Sequence, residues 1–265
     1  MPEVVSLTEG QFGLVYSTLS LAIAAMGASF VFFLLAQNRV APKYRLSLVV
    51  SALVVGIATY HYVRIFNSWV DTYAFEGGLY ASTGLPFTDS YRYVDWLLTV
   101  PLLVTELILV LALAREVQGK LITTLSIAAV AMIVLGFPGE IAQDTGTRAL
   151  WGALSTIPFV YILYVLWARL GAAISQQPPR VAVLFRNTRL LLLATWGFYP
   201  IVYMAPFLGI SGASAEVTIQ VGYAIADILA KAAYGVMIYA IAREKTTADG
   251  WLESTDLTPA TASAA

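Results

Sequence analysis

Long apolar runs separated by short polar breaks set the pattern of this chain. Seven runs approach the ~20 residues that cross a bilayer as helix: Phe12–Ala36, Leu46–Phe66, Tyr91–Leu113, Leu121–Phe137, Leu150–Leu170, Val181–Leu208 and Ala215–Ala242. A lipid interior offers backbone N–H and C=O groups no partner outside the segment, so runs of this length predict helices. Most breaks are short and carry turn residues, among them Pro42 in Arg39–Arg45, then Arg115–Lys120, Gly136–Gly139, Ser175–Pro179 and Gly209–Ser214. The break between the second and third runs is longer. There Thr72–Phe75 and Gly78–Ala81, around Glu76-Gly77, predict a small β-hairpin. The expected fold is an all-α membrane protein, a seven-transmembrane helix bundle over residues 1–245. A Thr-, Ser- and Ala-rich tail over residues 246–265 is expected to be disordered.

Composition sharpens this picture. The chain has 265 residues, is 59% hydrophobic and only 12% charged, which no soluble domain of this size matches. A net charge of −1 gives no electrostatic case for nucleic acid. With no cysteine and one histidine, His61, disulfides, thiolate chemistry and histidine-rich metal sites are excluded, so no metal is expected. The first residues, Met1 to Val5, carry no basic region ahead of the first run, so that run is expected to serve as the targeting signal. Eleven of the 15 lysines and arginines, from Arg39 in the first break to Lys245 after the last run, fall on one side of a seven-span topology. By the positive-inside rule the amino terminus is outside and the carboxyl terminus cytoplasmic.

Candidate chemistry lies inside the apolar runs. The last run reads Gly222-Tyr223-Ala224-Ile225-Ala226-Asp227-Ile228-Leu229-Ala230-Lys231, with an acid and an amine one helical turn apart. Ionisable side chains at membrane depth are costly, and they are paired and functional. A desolvated lysine amine is also the group that forms Schiff bases with carbonyl ligands. The pair therefore suggests a covalent ligand site with its own counter-ion. The third run adds Arg92, Asp95, Thr99 and Glu106. At 3.6 residues per turn, Asp95 and Glu106 differ by only ~20° around the helix and lie ~16 Å apart along it. Thr99 falls between them on the same face, and Arg92 lies one turn outside Asp95. Carboxylates at two depths with a titratable amine between them are the minimum kit for vectorial proton transfer.

The string Arg92-Tyr93-Val94-Asp95-Trp96-Leu97-Leu98-Thr99-Val100-Pro101, together with Asp227 four residues before Lys231, resembles the type 1 microbial rhodopsins, and in particular their proteorhodopsin and xanthorhodopsin branch. The resemblance covers all seven runs. It implies a light-driven outward proton pump, a transporter rather than an enzyme, in which Lys231 carries all-trans retinal as a protonated Schiff base. Asp95 is then the proton acceptor and primary counter-ion, Asp227 the second counter-ion and Glu106 the proton donor. Arg92, Thr99 and His61 support the counter-ions, His61 by pairing with Asp95, while Tyr62 and Tyr199 hydrogen-bond Asp227. Trp96, Leu103, Ser155, Phe159, Trp196 and Tyr203 form the retinal pocket. An apolar residue at the Leu103 position implies green absorption, and Pro200 hinges the sixth helix.

Gly152 resembles the glycine that opens a lateral window for a hydroxylated carotenoid antenna in xanthorhodopsin-like members; close helix packing is the other role open to it. The family implies a pentamer or hexamer in the inner membrane of a prokaryotic cell. One departure is visible, because Ile219 stands where bacteriorhodopsin-like proteins carry an outward glutamate. Glu140 and Glu216 remain as acids for an exit route. Two other functions compete: a photosensory rhodopsin signalling through a partner, against which the cytoplasmic carboxylate Glu106 argues, and a receptor binding a diffusible ligand noncovalently, against which Lys231 with Asp227 and Asp95 argues.

Overall fold

The computed structural model describes residues 6–88, 90–142, 144–204, 207, 209 and 212–251. Seven long helices run in chain order: α1 Glu9–Ala36, α2 Pro42–Thr72, α3 Ser90–Leu111, α4 Arg115–Glu140, α5 Thr145–Ser175, α6 Pro179–Tyr203 and α7 Gly212–Ala248. Local signals set several ends. Thr8 and Gln11 form a capping box ahead of α1, and the Asp144 side chain accepts from the Thr147 N–H at the start of α5. Pro42 and Pro179 open α2 and α6, where a missing N–H costs nothing.

The hairpin forms between α2 and α3, with β1 Tyr73–Glu76 pairing antiparallel to β2 Leu79–Ser82. Its turn is Gly77-Gly78, both at positive φ, one residue later than the sequence suggested. Leu7 pairs with Tyr80 in an isolated antiparallel bridge, and the Phe12 ring stacks on Tyr80 at 3.8 Å between centroids.

Among the described residues, six of the seven helices are long and apolar enough to cross a membrane. Helix α6 is the exception, since Arg180, Arg186 and Arg189 lie in its first half. Other expectations shift. Arg115–Lys120 is the first turn of α4 rather than a break, because the chain turns earlier, at Ala112 with φ 53°. Gly136–Gly139 stays helical, although Pro138 has no N–H to give the last turns of α4. Helix α7 continues to Ala248, so residues 246–248, placed in a tail by their polarity, are helical. Thr246 there is buried and accepts the Ala41 N–H at 3.0 Å. Residues 252–265 lie outside the described residues.

Large apolar side chains cover the outside of the bundle, and several charged ones lie inside. Leu35, Ile127 and Ile157 are 68, 65 and 67% exposed, whereas Arg92, Asp95, Glu106, Asp227 and Lys231 are at most 2% exposed. Water would reverse that arrangement, so the surface is matched to lipid. This is a multi-pass membrane protein.

Candidate functional site

The charged cluster sits where α2, α3, α6 and α7 converge. On α7 the helix widens into a π-helical turn over Ile228–Ala233, and Lys231 lies within it. Such wide turns recur at functional sites. The Lys231 Nζ lies 2.6 Å from Asp227 Oδ1 on its own helix and 2.9 Å from Asp95 Oδ2 on α3.

The two carboxylates are served differently. Asp227 accepts hydrogen bonds from the Tyr62 hydroxyl at 2.7 Å, from the Tyr199 hydroxyl at 2.5 Å and from Trp96 Nε1 at 3.1 Å. These donors come from α2, α6 and α3. Asp95 has an ion contact with Lys231 instead, and the His61 ring faces it with Nδ1 at 4.0 Å. The His61 pairing inferred from the sequence thus exists as a facing contact, too long for a hydrogen bond. Thr99 Oγ1 donates to the Asp95 carbonyl at 2.8 Å and fixes that turn of α3.

Arg92 lies one turn further along, over the rings of Tyr62 and Tyr223 at 5.8 and 5.3 Å. Its Nη1 donates to Gln220 Oε1 at 2.9 Å, and Gln220 Nε2 donates to Glu216 Oε1 at 3.2 Å. Glu140, the other acid considered for an exit route, is engaged by Arg148 at 3.3 Å. At the opposite depth Glu106 is fully buried and hydrogen-bonded to the Ser51 hydroxyl of α2. The sequence-predicted charged residues Arg92, Asp95, Glu106, Asp227 and Lys231 therefore all lie buried inside the bundle. The structure adds Ser51, Gln220 and Tyr223. Gln220 and Tyr223 precede Asp227 by seven and four residues, so helical spacing alone places them on its face. Ser51 could be found only through its neighbour 55 residues away.

A cavity of about 410 Å³ ends on Lys231 and Asp227. Every pocket residue expected from the sequence lines it: Trp96, Leu103, Ser155, Phe159, Trp196 and Tyr203. Tyr93, Val100, Met132 and Tyr223 add to the wall. Its size lies within the ~300–1,000 Å³ of small-molecule sites. A mostly apolar, ring-walled slot with one buried amine at its end suits an elongated apolar aldehyde, and the residues present therefore fit retinal.

Gly152 also lines this cavity, beside the exposed Ala149, Ala153 and Thr156 of α5, so the cavity reaches the lateral face of the bundle. A Cβ at Gly152 would stand 2.9 Å from the Tyr203 ring, and one at Gly139 would meet the Tyr203 hydroxyl. Tyr203, bonded to the Arg148 carbonyl at 2.7 Å, leans into space that these two glycines leave. Close packing and a lateral opening thus coexist at Gly152.

Residues 14–245 match the model of the family described as bacteriorhodopsin-like protein. The chain is 34% identical over 233 residues to the green-light absorbing proteorhodopsin of Gamma-proteobacterium EBAC31A08, covering 86% of each chain. Among solved structures it resembles xanthorhodopsin, described as a light-driven ion pump with dual chromophore, at 56% identity and a TM-score of 0.90, covering 94% of this chain and 99% of that one. It also resembles a thermophilic rhodopsin at 52% identity and a TM-score of 0.91, covering 94% and 100%.

Proposed function

This chain belongs to the bacteriorhodopsin-like family, and from that premise we propose that it is a light-driven pump moving protons outward across the inner membrane of a prokaryotic cell. The observation that carries this reading is the Lys231 Nζ, held between two buried carboxylates of unequal hydrogen bonding at the end of a ring-lined cavity. Retinal, bound to that nitrogen as a protonated Schiff base, supplies the light absorption and the change of shape that drive the cycle.

Asp227, with three donors and the amine around it, keeps its negative charge throughout. Asp95, with no such set of donors, is the carboxylate that takes the proton from Nζ. Arg92, His61 and Thr99 hold the surroundings of Asp95 in place. Glu106 holds a proton in an apolar setting with Ser51 as its hydrogen-bond partner and returns it to Nζ from the other side. Asp95 then gives its proton up toward Arg92, Gln220 and Glu216, the outward side in the orientation set by the basic residues. Direction comes from the placement of the two acids on either side of the amine. The seven helices act as one retinal-binding unit, and homo-oligomers in lipid are the expected assembly.

Cells carrying the protein and retinal, illuminated in unbuffered medium, are expected to acidify the medium, and an uncoupler is expected to abolish the change. A coloured, photocycling protein without acidification would identify a sensor instead. Lowering the pH of the purified protein is expected to shift its visible band to the red. As Asp95 takes a proton, the cation at Lys231 loses a counter-charge and its ground state is destabilised relative to the excited state. A band unmoved down to the pH of denaturation would contradict this role for Asp95.

The lateral reach of the cavity at Gly152 supports a carotenoid antenna. Excitation spectra taken with a hydroxylated carotenoid are expected to show energy transfer, and Gly152→Trp is expected to abolish it. An indole there displaces Tyr203 and closes the face at Ala149 and Ala153. Transfer that survives Gly152→Trp would place the carotenoid elsewhere.

A further inference from the structure

A second cavity, of about 230 Å³, lies at the end of the bundle away from Arg92. It is bounded by Lys43 and Tyr44 of α2, Leu111 and Ala112 at the end of α3, Gln177 and Pro178 before α6, and Lys245 and Asp249 at the end of α7. No step described so far uses it, yet its walls are unusually polar for a membrane bundle. The Lys245 ammonium is buried and donates to the Leu111 carbonyl at 2.8 Å. The Tyr44 hydroxyl donates to Asp249 Oδ2 at 2.7 Å, and Lys43 Nζ stands 2.9 Å from the same oxygen. The Asp249 side chain is 33% exposed, so it faces both the cavity and bulk water.

From Tyr44 a line of hydroxyls leads inward along α2. Ser47 Oγ donates to the Tyr44 carbonyl at 2.7 Å, Ser51 Oγ reaches the Ser47 carbonyl at 3.1 Å, and Ser51 also bonds Glu106. Both serines are 1% exposed. The Cβ atoms of Ser47 and Ser51, one turn apart, are separated by ~5–6 Å, a gap that one water spans between their hydroxyls. Leu48 and Leu107 are fully packed in the same region, so the line is closed at rest.

We infer that this cavity is the mouth through which Glu106 regains its proton, with Asp249 as the receiving carboxylate and Ser47 and Ser51 as the path. The inference rests on Glu106 being the donor. The balance is simple. Asp249 gains a proton from bulk water and passes it on; each hydroxyl or water gives up one proton as it takes another; and the Glu106 carboxylate, left charged by donation to Nζ, becomes neutral again. No electrons move. Asp249 lies beyond the last span. Burial works against its charge, but the bonds from Lys43 and Tyr44 hold its carboxyl below the usual range, so it rests ionised and hands a captured proton on rather than keeping it. Lys245 is a positioning residue, tying the end of α3 to α7 across the mouth.

Time-resolved infrared spectroscopy of the retinal-loaded protein reads the return of the Glu106 carboxyl band after a flash. Asp249→Asn is expected to slow that return by about 100-fold, the low end of what a positioned proton-transfer group contributes. Asp249→Glu is expected to restore it, as is added azide, a small weak acid that carries protons past a missing carboxylate. Glu244→Gln, on a half-buried residue five positions earlier that pairs with Arg180, serves as the unaffected control. In retinal-free protein kept dark in D2O, deuteration of the Glu106 carboxyl is expected to slow in Asp249→Asn as well. A return at the wild-type rate overturns the inference, as does a slowed return that neither azide nor Asp249→Glu repairs. A wild-type protein whose Glu106 band never changes on illumination would instead remove the donor reading itself.

Discussion

Lys231→Ala is expected to give a protein with no visible band and no light-driven proton movement, in the presence of any amount of retinal. The amine is the attachment atom, and among the described residues no other amine lines the cavity. The substitution has a second effect that must be separated from the first. It leaves Asp95 and Asp227 facing one another without the cation that stands 2.9 and 2.6 Å from them. Removing one partner of a buried ion pair costs ~3–5 kcal/mol, enough to endanger the fold. The double variant Lys231→Ala with Asp95→Asn removes one of the two stranded charges and is expected to recover thermal stability while staying colourless. Absorption spectra with and without hydroxylamine, which attacks a retinal imine, together with thermal melts of both variants, are the measurements. A visible, hydroxylamine-sensitive band in Lys231→Ala would end the account of this site.

Asp95→Asn is expected to keep its colour, shift it to the red and lose outward proton transfer by roughly 10²–10⁴-fold, the contribution of a positioned proton acceptor. An amide of nearly the same shape fills the same space, so the cavity wall and the Thr99 bond to the backbone at 95 persist. The lost quantity is a negative charge 2.9 Å from the amine. At an effective dielectric of 20 two unit charges at 4 Å interact by ~4 kcal/mol, so a contact this close is a large influence on where the proton resides. Asp227 does not substitute, because the hydroxyls of Tyr62 and Tyr199 and the indole N–H of Trp96 already occupy its oxygens. Flash spectroscopy of the Schiff-base proton and a pH electrode in the same illuminated sample measure both effects. Outward pumping that persists at the wild-type rate in Asp95→Asn would move the acceptor role to another group.

The sequence by itself determined the membrane class, the seven segments and the depth order of Arg92, Asp95, Thr99 and Glu106. Each follows from one chain's periodicity and from the cost of charge in lipid. It also determined that Asp227 and Lys231 share a face, four residues apart, and through resemblance it named six residues that line the cavity. Periodicity fixes the face and height of a side chain on its own helix, yet it is silent on which faces meet. Hence only the tertiary structure decided that Ser51 serves Glu106, that Gln220 joins Arg92 to Glu216, and that His61 faces Asp95 at 4.0 Å without a hydrogen bond. It alone showed that Tyr203 fills the space left by Gly139 and Gly152. The inequality between Asp95 and Asp227 was decided there too. It arises from donors on three helices converging on one carboxylate, across separations of 28 to 165 residues that no local pattern encodes.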